Sequence, residues 1–267
     1  MKILVGNCFA IYKKELQGYF ASPLAYGVAG LFWLVNGVWY SMSLFGLLRD
    51  VGQYDMQQSL QGGSPVAVDV PFLVLQNFLG VLGVISLVVL PMLSMGLYAE
   101  ERRQGTLELI ATSPVHNWAV ALAKLLGVLT FFVGMILPLM LCEAVTFSAA
   151  NPPLAPTLFL VSHLGLVLMA ASVLSMGMFI SSLTASTLLS VVFTFVLVLM
   201  LVLLEGIGSL VGGAMGEALT HLSLLKHYGD WVQGNFDSSA LVLFGSYIFL
   251  GLFLTAQSIE TLRFQRS

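Results

Sequence analysis

Six stretches of this chain run for about 18 residues or more with almost no charge, the length an α-helix needs to cross the hydrocarbon core of a bilayer. They cover residues 23–48, 72–99, 119–147, 157–180, 188–210 and 241–257. Strands of a membrane barrel alternate in segments of about 10 residues, whereas these blocks are continuously apolar. An all-α membrane protein with six transmembrane helices is therefore expected. Composition agrees: 58% of the 267 residues are hydrophobic and 9% are charged, against roughly 25% charged in soluble domains. Six spans of roughly 20 residues leave no room for a large soluble domain. The net charge of −3 offers no basic field for nucleic acid; the lipid bilayer is the main surroundings of the chain.

Orientation follows from where the basic residues fall, because positive loops are retained on the cytoplasmic side. Lys2, Lys13, Lys14, Arg102, Arg103, Lys124, Arg263 and Arg266 group with the N-terminus, the second-to-third connection and the C-terminus; only Arg49 and Lys226 lie opposite. Both termini are expected in the cytoplasm, with 258–267 as a cytoplasmic tail. The N-terminal M-K-I-L-V-G-N-C-F-A-I-Y-K-K-E-L has no apolar core ending in a small-residue cleavage site, so an uncleaved chain is expected. The external connections are then 49–71, 148–156 and 211–240. The last holds L-S-L-L-K-H-Y-G-D-W-V-Q-G-N-F, whose pattern with Tyr228 and Trp231 fits an interfacial or partly re-entrant helix, or a plain surface loop.

Two cytoplasmic segments stand out. Over residues 1–22, Leu4, Cys8, Ile11, Leu16, Tyr19 and Phe20 recur at helical spacing, with Asn7, Lys13, Lys14 and Gln17 as a polar side, up to Ser22-Pro23. This reads as an interfacial helix, either an anchor for the first span or an elbow that moves with a cytoplasmic partner. Residues 98–115, Y-A-E-E-R-R-Q-G-T-L-E-L-I-A-T-S-P-V, pack four charges into Glu100, Glu101, Arg102 and Arg103. Gly105 permits a sharp turn and Thr106 is suited to cap a new helix. Leu107, Ile110 and Ala111 give that helix an apolar side, and Pro114 stops it. A short cytoplasmic helix over about 105–113 would act as a lever on two spans; a solvated positive-inside loop is the plainer reading.

The stretch E-E-R-R-Q-G-T-L-E-L-I-A-T-S-P-V resembles the segment between the second and third helices of type-2 ABC exporter permeases, where it forms the coupling helix that docks on the ATPase subunit. The N-terminal K-K-E-L-Q-G-Y-F-A-S-P-L-A-Y, residues 13–26, is similar to the elbow region of the gliding-motility-type branch of that family. The resemblance implies a type-2 ABC exporter permease fold: an elbow helix at 1–22, with Lys13, Lys14, Glu15 and Tyr19 in it and Pro23 directly after it, and a six-helix permease domain at 23–257. It implies that Glu100, Glu101, Arg102, Arg103, Gly105, Thr106, Glu108, Ser113 and Pro114 match the gate-helix end and coupling segment, with Leu107 and Leu109 beside them. It further implies a bacterial plasma membrane location and two copies of a separate ATP-binding-cassette ATPase. A second permease chain, identical or related, would complete twelve helices, and an extracytoplasmic accessory protein is implied if the complex does mechanical work. ATP and Mg would be held by the ATPase, and this chain would perform no catalysis and bind no cofactor. None of its five lysines sits in a G-x-x-x-x-G-K-[ST] phosphate loop.

Polar residues inside the spans are few. Lys124 is near the cytoplasmic end of the third span, where its stem can snorkel to the headgroups. Glu143 lies 19 residues on, about 28 Å at 1.5 Å per residue, and Glu205 of the fifth span reaches a similar level. The two are expected at the outer surface, either as hydrated helix ends or lining an outer vestibule that gates the exit. Cys8 and Cys142, at opposite sides, form no disulfide or metal framework and are expected to be packing residues, and the four histidines lack metal-ligand spacing. Gly208, Gly212 and Gly216 repeat a G-x-x-x-G pattern suited to close helix contact. Two competing classes remain: a six-helix channel or secondary transporter driven by an ion gradient, and an intramembrane hydrolase, for which only Ser162 and His163 offer a nucleophile and base.

Overall fold

The computed structural model describes residues 2–61, 69–107, 116–151 and 153–264. Among them are ten helices: α1 (Lys2–Ala21), α2 (Pro23–Leu60), α3 (Val70–Ser94), α4 (Ala99–Arg103), α5 (Asn117–Ser148), α6 (Pro156–Leu183), α7 (Thr187–Val211), α8 (Gly213–His221), α9 (Leu224–Val232) and α10 (Ser238–Phe264). The described residues contain no strand. Six helical stretches, at α2, α3 with α4, α5, α6, α7 and α10, are long and apolar enough to cross a membrane.

Their ends follow local chemistry. Ser22 accepts a hydrogen bond from the Ala25 amide at 3.4 Å and Pro23 takes the first turn of α2, where a missing N–H costs nothing. Asp69 caps α3 through Phe72 N at 3.1 Å, and Ser186 caps α7 through Leu189 N at 3.4 Å. Gly212, at φ 64°, turns the chain sharply between α7 and α8. Pro91 lies inside α3 and Pro138 inside α5, each leaving the carbonyl four residues back without its helical donor.

Two boundaries differ from expectation. Residues 49–60, expected within a connection, continue α2 to Leu60. No proline interrupts them, and exposed Arg49 and Asp50 project to water while the backbone ladder continues, extending the rod by about 18 Å. At the other terminus α10 runs to Phe264 and takes in most of the expected tail.

Helix α6 is central, touching α3, α5, α7, α9 and α10. Without a hydrophobic drive between helices in lipid, close approach relies on small residues and interhelical hydrogen bonds. Gly251 of α10 lies against the backbone of Ser175. Ser172 donates to Phe244 O at 3.2 Å and Ser175 to Tyr247 O at 3.3 Å, tying α6 to α10. Gly177 faces Ser94 of α3 and Thr194 of α7. By contrast α2 and α7 bury only 17% of their most apolar windows.

At one end of the bundle α1 lies along α5: Cys8 donates to Ala119 O at 3.2 Å, and Tyr19 stacks on Phe131 with ring centroids 5.0 Å apart. Cys142, expected in packing, is exposed near the other end of α5. There the 211–240 connection forms α8 and α9. Gly208 and Gly216 bring α7 and α8 into backbone contact, so the G-x-x-x-G pattern serves a hairpin within the chain. Helix α9 is no plain surface loop. Leu224, Tyr228 and Trp231 are buried, Tyr228 donates to Leu79 O at 2.6 Å, and Trp231 packs on Gly165.

Candidate functional site

Helix α3 stops at Ser94, four residues form a turn, and α4 begins at Ala99. A helix end leaves its last carbonyls without partners, and burying them so is costly. Here three other helices supply the donors. The Tyr19 hydroxyl of α1 donates to Leu93 O at 2.6 Å, Ser181 of α6 to Met95 O at 2.8 Å, and Lys124 of α5 to Leu97 O at 2.8 Å. Ser181 Oγ also accepts from the amides of Tyr98 and Ala99, both at 3.0 Å, so one hydroxyl bridges the end of α3 and the start of α4. Ser181→Ala leaves these buried groups unpaired, and a loss of about 1–3 kcal/mol in stability is expected, read as a lower melting temperature of the purified chain.

Lys124 is the centre of this joint. Its Nζ donates to Glu15 Oε1 at 2.7 Å and to Leu97 O at 2.8 Å, and forms an ion pair with Glu101 Oε1 at 3.0 Å. The ammonium also sits 4.9 Å from the centre of the Tyr98 ring. Its side chain is 2% exposed, so the expected snorkelling to the headgroups does not occur. Helix α1 covers that route, with Glu15 Cβ packed against Gly127, and brings a carboxylate in its place. Lys14, 71% exposed, reaches Glu101 at 3.4 Å and adds little.

Beyond the joint, Arg102 Nη1 donates to Ser182 O at 2.7 Å, closing the end of α6. Arg103 Nη2 and Gln104 Nε2 both bond Glu100 Oε1, at 2.6 and 2.7 Å. Gly105 takes φ 71° and the Thr106 hydroxyl donates back to Glu101 O at 3.3 Å, so its described contact closes α4. Leu107 is buried. Glu108, Leu109, Ser113 and Pro114 lie outside the described residues. A cavity of about 470 Å³, lined by Glu15, Tyr19, Met92, Gly96, Glu100 and Arg103, opens beside the α3–α4 turn.

Of the residues singled out from the sequence, Glu15, Tyr19, Glu101 and Arg102 meet at this joint, while Lys13 and Pro23 are exposed on α1 and at the start of α2. Lys124, Ser181 and Ser182 were missed as members. A lone lysine in an apolar span, with two glutamates in flanking segments, was the readable signal, as was the Ser-Ser pair ending the fourth span.

Glu205 is exposed on α7, whereas Glu143 is fully buried, its Oε1 3.3 Å from Nε2 of His163. Ser162 and His163 do not form a nucleophile and base: Ser162 Oγ donates to Leu158 O and Trp231 O, and His163 Nδ1 lies 2.8 Å from Phe159 O. A family model described as ABC-2 family transporter protein matches residues 55–226, more than half of the chain, including the α3–α4 joint and Lys124. No curated protein matches it.

Proposed function

The chain belongs to the ABC-2 transporter family, and from that premise we propose that it is the membrane-spanning subunit of an exporter driven by ATP hydrolysis in separate ATPase subunits. The observation that carries this reading is the clamped α3–α4 joint, which directly precedes the proposed coupling segment at 105–113. A segment pushed by a soluble ATPase does work on a bundle only if the push is not absorbed locally. Here α1, α5 and α6 all grip the same turn, so displacement of α4 passes to four helices together.

In this reading ATP and Mg bind two copies of the ATPase, and their closure presses on residues 105–113. The joint then shifts α3 and α5 and switches access to a path between this chain and a second permease, identical or related. In this reading the chain lies in a bacterial plasma membrane, and the distribution of its basic residues supports both termini in the cytoplasm. The similarity of residues 13–26 to the elbow region supports the gliding-motility-type branch in this reading, with an extracytoplasmic accessory protein as a further partner. The chain itself does no covalent chemistry. Family membership favours this reading over an ion-driven channel or carrier.

The test is replacement of Glu108 and Leu109 with alanine, followed by copurification with the ATPase and ATP-stimulated transport in vesicles. At least a tenfold loss of both is expected, equivalent to about 1.4 kcal/mol of docking energy; full retention overturns the coupling role. Orientation is checked with Leu109→Cys in a chain lacking Cys8 and Cys142. Labelling only from outside the cell overturns it.

A further inference from the structure

Glu143 of α5 and His163 of α6 are 0% and 2% exposed. The Phe159 carbonyl, 2.8 Å from His163 Nδ1, can only accept a hydrogen bond, so Nδ1 carries a proton. A neutral imidazole then presents a bare lone pair at Nε2. Nε2 lies 3.3 Å from Glu143 Oε1, and a lone pair facing a carboxylate oxygen at that distance repels. One more proton must lie between them, on the carboxyl or on the ring. In either case the pair is neutral overall, which is the state a buried site tolerates.

We infer that Glu143 and His163 form a buried binding site for one proton, which locks α5 to α6 while held and passes to water when that end of the bundle opens. Release leaves a carboxylate beside a neutral, Nδ1-protonated imidazole, stable only once water reaches both. The surrounding groups fit this role. From α2, Tyr40 lies within electrostatic reach of Glu143, as does Tyr228 from α9. On α5 itself the neighbour is Cys142, exposed beside it. Helix α3 carries no titratable residue and α6 none besides His163, while Tyr247 of α10 is engaged with Leu222 O. Among the described residues no lysine or arginine pairs with Glu143. Three buried polar atoms here have no partner among the described residues: Glu143 Oε2, the Tyr40 hydroxyl, and Oδ1 of Asn36 one turn away on α2. Water admitted by a shift of α2 would satisfy them as the proton leaves.

The site stands independently of the ATPase, so the test uses the full chain alone in lipid nanodiscs. With ¹⁵N-labelled histidine, and His163→Asn to assign the signal, the His163 spectrum near neutral pH is expected to show a protonated Nδ1 and an Nε2 that shares a proton with Glu143. Toward alkaline pH the melting temperature should fall by about 5 °C or more as the proton is lost. Glu143→Gln donates an N–H to Nε2 and holds no exchangeable proton, so Nε2 should become a plain acceptor and the alkaline fall should vanish. A His163 spectrum with an unprotonated Nδ1, or the same pH profile of melting temperature for wild type and Glu143→Gln, overturns the inference. Should that variant misfold, the wild-type nitrogen spectrum decides alone.

Discussion

Lys124→Met should abolish accumulation of the folded chain, the largest effect expected of any single substitution in this protein. The ammonium satisfies Glu15, Glu101 and the Leu97 carbonyl together. Methionine keeps the apolar stem and removes every donor, leaving two carboxylates, 14% and 13% exposed, facing each other. Breaking a buried ion pair from one side costs about 3–5 kcal/mol, a large part of the roughly 5–15 kcal/mol that holds a typical fold. Lys14 already touches Glu101 at 3.4 Å, but from a side chain 71% exposed, a solvated contact of little worth. Combining Lys124→Met with Glu15→Gln and Glu101→Gln removes the stranded charges and should restore much of the yield, since replacing a whole buried cluster is often tolerated. Detergent-solubilised yield and melting temperature are the readouts. A single variant as stable as wild type would mean that Lys124 is not buried as described.

Gly251→Val should be nearly as damaging, for a steric reason. A side-chain carbon at Gly251 would stand 2.6 Å from the Ser175 carbonyl carbon and 2.7 Å from its oxygen. Backbone atoms of the central helix cannot swing aside as a long side chain does, so α10 must move away from α6. That movement also stretches the Ser172–Phe244 and Ser175–Tyr247 hydrogen bonds. Overpacking typically costs about 1–3 kcal/mol and occasionally more, and a branched side chain against backbone belongs at the upper end. Gly245, on the same helix with open space around it, is the control: Gly245→Ala should leave the melting temperature within a degree or two. Equal effects at the two positions would refute the packing account.

The spans were readable because the bilayer imposes a length and forbids unpaired backbone, which makes continuous apolar runs nearly unambiguous. Their ends were less so. Once α2 leaves the apolar block, nothing breaks its hydrogen-bond ladder before Leu60, and hydropathy carries no record of a polar helix continuing into water. The pattern of residues 222–236 fitted a helix or a plain surface loop, and the depth of the helix found there depends on Gly83 and Gly165 leaving room for Tyr228 and Trp231. That is a property of the partners. At the joint, the elbow and Glu100 to Arg103 stood out by composition, whereas Lys124 meets Glu15 across 109 residues of sequence. Burial reversed its expected behaviour: a lysine near a helix end snorkels unless another element covers the exit and brings a counter-charge. Glu143 shows the same dependence, since only the packing of α6 on α5 turned an outer carboxylate into half of a neutral pair.

Pro138 falls between these two clusters on α5, 14 residues from Lys124 and 5 from Glu143 by position. One proline thus divides a single rod into a half bolted to its neighbours by ammonium–carboxylate contacts and a half fastened by a proton. The backbone is weakest between the two fasteners, where Gly134 lacks the amide that would answer its carbonyl. Bending there would let the far half swing while the near half stayed in register with the other helices.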